Sequence, residues 1–129
     1  MRNRLTRGLG VTLGFLIVSA PLLAHHGAAQ FDVGKKVTVK GTVTEWFWSN
    51  PHCFLRFDAP GADGQAVHWA VETQSGPKIL PQGFSKQTFK VGDEVTVTLE
   101  PVKNGRPMGR LLRVVLPDGS ALPLGAGAN

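Results

Sequence analysis

Apolar and polar residues alternate with a period of two over most of this chain, from Lys36 to Leu116, and that period predicts strands rather than helices. In KVTVKGTVTEWFW, Val37, Val39 and Val43 fall on one face and Thr38, Lys40, Thr42 and Thr44 on the other. Gly41 interrupts the run and permits a bend or a close approach of backbones. Aromatic residues crowd both faces around Trp46 and Trp48, which predicts a twist or bulge there. Asn50-Pro51 ends the strand, because proline fixes φ and asparagine favours turns. A second strand is expected over residues 52–58, with Cys53, Leu55 and Phe57 inward, and a turn over 60–64. The third places Val67, Trp69 and Val71 inward.

The period of two is lost over residues 75–91, which hold Pro77, Pro81 and Gly83 and predict a short helix or irregular crossover. It returns at 94–101, with Val95, Val97 and Leu99 inward, and after the turn signal Lys103-Asn104-Gly105 it continues over 108–116. Leu112, Val114 and Leu116 are the expected core side there, and Asp118-Gly119 turns into a short segment at 121–124. The expectation is an all-β fold: a small five-stranded OB-like barrel with a short helix or irregular crossover between strands three and four. A five-stranded sandwich is the alternative.

The N-terminal segment follows another rule. Arg2, Arg4 and Arg7 precede an uncharged, largely apolar run over residues 8–24 that closes on Ala24. Charge, apolar run, then small residue is the layout of a secretory signal peptide. A spanning helix needs about 20 predominantly apolar residues, and this run is interrupted by Gly10, Gly14 and Pro21. Residues 1–24 are therefore read as a signal peptide, 25–35 as a leader, 36–124 as the β domain and 125–129 as a frayed tail. The protein is expected in the periplasm or secreted; an uncleaved segment would anchor it to a membrane instead. With three arginines removed, 11 Lys+Arg face 9 Asp+Glu, a balance of +2, so nucleic-acid binding loses its compositional argument. The single Cys53 cannot form an intramolecular disulfide, and its place in the alternation makes it a core residue.

His25-His26 after the apolar segment, Phe31-Asp32, the KxVTVKGTV run, Trp48-Ser49-Asn50-Pro51-His52, Trp69-x-x-Glu72 and Val91-Gly92-Asp93-Glu94-Val95-Thr96-Val97 occur in that order. Together they resemble a family of small exported bacterial proteins catalogued as a domain of unknown function. The resemblance runs from His25 to about Leu122, with Gly27 where the family pattern has Ser and Phe84 where it has Trp. It implies export and one small β domain, and supplies no activity.

Pairing Phe57 with Val67 across the 60–64 turn sets Leu55 opposite Trp69 and Cys53 opposite Val71, all inward. On the outer face it sets His52 opposite Glu72, Phe54 opposite Ala70 and Arg56 opposite His68, within reach of one another. A mature N-terminal His25 offers both its amine and its imidazole. With His26, His52 and Glu72 it makes a nitrogen-rich set suited to copper, the tightest binder among the divalent first-row ions. The competing expectation is a non-metal binding or accessory module. Its small-molecule, polymer or protein partner would sit on Trp46, Trp48, Asn50 and Phe54, of which Trp46, Trp48 and Phe54 otherwise serve as rim packing. An enzyme is the weakest reading: the sequence has no glycine-flanked serine elbow, second cysteine, HExxH or phosphate loop.

Overall fold

Alternation becomes strands in the expected order in the computed structural model, which describes residues 27–124. The signal-like segment 1–24, His25, His26 and the tail 125–129 lie outside the described residues. The strands are β1 (Val37–Phe47), β2 (Phe54–Pro60), β3 (Ala66–Glu72), β4 (Glu94–Pro101), β5 (Met108–Val115) and β6 (Ala121–Pro123). They run β3-β2-β1-β4-β5-β6, and a parallel β3–β5 pairing closes the first five into a barrel, the OB-like architecture expected. β6 pairs antiparallel with β5.

Two bulges decide which side chains face inward. Thr44 is the extra residue between the Val43↔Phe57 and Glu45↔Arg56 pairs. One inserted residue reverses the pleat, so Trp46 turns toward the core cluster while Phe47 is left 54% exposed. The β4–β5 ladder shifts in the same way between Thr98 and Leu99, skipping Leu112. Leu111 therefore takes the buried position expected of Leu112, beside Val114. Gly41 serves the close approach its position suggested, since a Cβ there would stand 2.7 Å from the Phe57 ring.

The β2–β3 register differs from the sequence expectation by two residues. The hairpin closes at Pro60↔Ala66 with Gly61 donating its N–H to the Gln65 carbonyl, which places the turn one residue later than the Pro-Gly signal implied. Leu55 thus opposes Val71, Phe57 opposes Trp69, Asp58 opposes His68 and Phe54 opposes Glu72. A slip of two keeps every side chain on its face. Val43, Cys53, Leu55, Phe57, Val71, Val95, Val97, Leu99, Leu111 and Val114 accordingly form the buried core. Each large aliphatic or aromatic member contributes about 1.5–3 kcal/mol by leaving water. Trp69, expected in the core, is half-buried, its ring stacked on Phe57 at 6.3 Å.

The crossover is a four-residue helix, α1 (Gly76–Ile79), followed by a 3-10 turn at Leu80–Gln82. Pro77 suits the first helical turn, and Gly83, at φ 94°, ends the segment in a left-handed conformation. Ile79, Phe84 and Phe89 plug the barrel end. On the other side the leader is stitched to β4. Phe31 is buried and bridges Val102, Asp32 donates its N–H to the Pro101 carbonyl at 2.8 Å, and Lys103 donates to Gln30 at 2.9 Å.

Candidate functional site

The corner between β1 and β2 carries the most chemistry. Asn50-Pro51 is a cis peptide, and the Ser49 hydroxyl donates to the His52 carbonyl. Thr73 donates its N–H to the Cys53 carbonyl at 2.9 Å and Cys53 donates to Gln74 at 3.2 Å, so the corner is bolted to the segment after β3. The His52 ring is exposed, and its Nδ1 lies 2.7 Å from the Thr73 carbonyl oxygen. A carbonyl only accepts, so Nδ1 carries the proton, and in the neutral ring the Nε2 lone pair is left as an acceptor or metal ligand.

Glu72 does not stand directly opposite His52, as the sequence register had it; it pairs with Phe54, two residues along the ladder. The two groups remain electrostatic neighbours. Burial pushes the half-buried Glu72 carboxyl up from the usual glutamate range, against the downward pull of His52 and Arg110. Arg110 lies beside Glu72 across the β3–β5 seam and opposite Glu100 in β4. It donates from Nε to Glu100 at 3.1 Å and sets its guanidinium 5.3 Å over the Phe31 ring. Burial raises the Glu100 pKa, but the Arg110 hydrogen bond, the Gly34 N–H at 3.3 Å and Lys36 outweigh it and hold the carboxyl below its usual range. Phe54, Glu72, Arg110 and Glu100 thus form one lateral row from the His52 corner, and Arg110 links it to Phe31 in the leader. Arg110 escaped sequence reasoning because only barrel closure makes β3 and β5 neighbours.

The aromatic residues divide. Trp46 donates its indole N–H to the Ser85 carbonyl at 2.9 Å and meets Phe89 and Trp48 edge-on at 4.9 and 5.9 Å. Trp48 packs on Gly76, where any Cβ would collide with the indole. Both rings hold the crossover. Asn50 is exposed at the tip of the corner, and Phe54 is half-buried between Phe47 and Glu72. The bulge at Thr44 is what brings Phe47 to this surface. Among the described residues, no group of three or more His, Cys, Asp or Glu converges as a metal site. Two of the four expected ligands, His25 and His26, are not among those residues.

A family of unknown function, DUF6152, matches residues 14–111, and the chain belongs to it. No curated protein matches significantly. Among solved structures, the ZRD-deleted mutant of TiaS in complex with agmatine is similar at 16% identity and TM-score 0.45, over 74% of this chain and 23% of that one. The chain therefore spans about a quarter of that structure's length. The mitochondrial single-stranded DNA binding protein Rim1 of S. cerevisiae is similar at 18% identity and TM-score 0.44, over 64% of this chain and 92% of that one.

Proposed function

We propose that this chain is an exported, non-enzymatic binding protein whose ligand is a divalent copper ion, held at the His52 corner by His25, His26, His52 and Glu72. The observation that carries the reading is the His52 ring. Its Nδ1 is tied to a main-chain carbonyl and its Nε2 is left in an exposed position, the arrangement in which metal-binding histidines are oriented. Glu72 adds a carboxylate retained beside it at a desolvation cost, as functional carboxylates often are.

The anchored leader supports the reading as well. Glu72 and Phe31 are separated by three strand spacings of about 4.8 Å, roughly 15 Å across the sheet. With three of them wound into the 3-10 turn, the six residues from Phe31 back to His25 could reach at most about 16 Å. Removal of residues 1–24 would then supply the two nitrogens of an N-terminal histidine within reach of the corner. Calorimetric titration of protein beginning at His25 with Cu(II) tests this. Tight one-to-one binding is expected, weakened at least tenfold by His25→Ala and by His52→Ala. Affinity unchanged in both variants would refute the site.

A further inference from the structure

A second concave surface lies on the barrel wall beside the corner. Arg56, Asp58, His68, Trp69, Arg106 and Met108 line a groove of about 430 Å³ where β2 and β3 meet the β4–β5 loop. That volume lies within the range of small-molecule sites. The loop forming its rim is fixed. Arg106 donates its N–H to Asn104 Oδ1 at 3.1 Å, and Met108 donates to the Arg106 carbonyl at 2.7 Å. Ala70 of β3 donates to the Pro107 carbonyl at 3.1 Å.

The charges in the groove are unevenly matched. Arg56 gives one guanidinium nitrogen to Glu45 at 2.9 Å, leaving other donors of its five. Asp58 is engaged by His68, whose Nδ1 lies 2.6 Å from its carboxylate. Arg106 has no carboxylate partner among the described residues. With Asp58 held by His68 and Arg56 shared with Glu45, Arg106 is the permanent cation of the lining left without a carboxylate, and Arg56 keeps donors to spare. Guanidinium forks suit planar or tetrahedral oxyanions. Trp69 belongs to the same lining, but its ring is turned inward onto Phe57, so Pro107 and Met108 supply the apolar side chains of the groove.

From this geometry we propose that the groove is a binding site, separate from the His52 corner, for a small oxyanion carried on an apolar body. The oxyanion is a carboxylate or a phosphate ester. Arg106 and Arg56 hold the charge, and Pro107 and Met108 contact the body. Nothing in this site requires a metal, so it stands or falls independently of the copper reading.

Amide-detected NMR titration of metal-free protein with benzoate, phenyl phosphate and benzyl alcohol tests the proposal. At least one of the two anions is expected to give saturable shifts at His68, Ala70 and Met108, with Kd on the order of 1 mM for so small a probe. The tighter of the two identifies the oxyanion class. Arg106→Gln and Arg56→Gln, both at exposed positions, should each weaken binding about tenfold. Lys103→Gln, which removes the same charge just outside the groove, should leave it unchanged. Equal shifts with benzyl alcohol, equal loss in Lys103→Gln, or no saturable shift at these amides with either anion would overturn the assignment.

Discussion

Glu72 sets stability and binding against each other. Its carboxyl is raised above the ordinary value of 4.5, chiefly by burial, so the folded protein holds that proton more tightly than the unfolded chain does. For such a group, stability falls as pH rises from the unfolded value through the folded one, and the full cost is present at neutral pH. Glu72→Gln should therefore raise the melting temperature at pH 7 and leave it little changed at pH 3, while weakening copper binding at the corner. Thermal unfolding at the two pH values, paired with the Cu(II) titration, checks both halves. A neutral-pH melting temperature lower than wild type would contradict the burial argument. Glu100 is the opposite case, since Arg110 and the Gly34 N–H keep its carboxylate favourable. The stabilisation it gives is present above the ordinary glutamate range and lost as pH falls through its lowered folded value.

At the scale of single elements, the strands were legible because their apolar faces repeat every two residues. The pairing between them was not. Five of the six strand positions follow from Val, Leu and Phe alternation, and β4 begins and ends where the sequence places it. The hairpin turn was misplaced because Pro60 and Gly61 both read as turn residues, yet Pro60 still pairs with Ala66. The error preserved the core and changed the partners: His68 meets Asp58 rather than Arg56, and Phe54 rather than His52 stands opposite Glu72. Bulges are harder still, since nothing in Val43-Thr44-Glu45 marks Thr44 as the unpaired residue. Trp46 and Trp48 were recognised as belonging to the rim, but their contacts with Ser85 and Gly76 depend on how the crossover folds back. That fold-back makes Gly76 sensitive. Gly76→Ala should displace the Trp48 indole and cost about 1–3 kcal/mol, read as a lower urea midpoint with a changed near-ultraviolet aromatic signal. An unshifted midpoint would mean that the packing relaxes freely.

Across the whole molecule, barrel closure determines which distant residues become neighbours. The β3–β5 seam brings Glu72 beside Arg110, and the β4–β5 ladder passes that contact to Glu100 and the leader. No local pattern encodes this, because the two seam strands share no turn. The row gives the leader a structural link to the corner through Phe31, which is buried and lies under the Arg110 guanidinium. Phe31→Ala should cost about 3 kcal/mol of stability and should also weaken copper binding severalfold, although Phe31 is no ligand. Titrating the variant well below its melting temperature separates the two effects. Copper affinity equal to wild type would show that the leader finds the corner without its anchor.

The hydrogen bond that orients His52 has a genetic consequence. Its acceptor is a peptide oxygen, and every amino acid at position 73 supplies one. An alanine scan would score the Thr73 hydroxyl, which donates to the Gln74 carbonyl, and leave the acceptor that fixes the imidazole in place. The instruction for the tautomer thus belongs to the path of the main chain. Insertions, deletions or prolines that redirect residues 72–74 would expose it, while side-chain libraries would leave it untested.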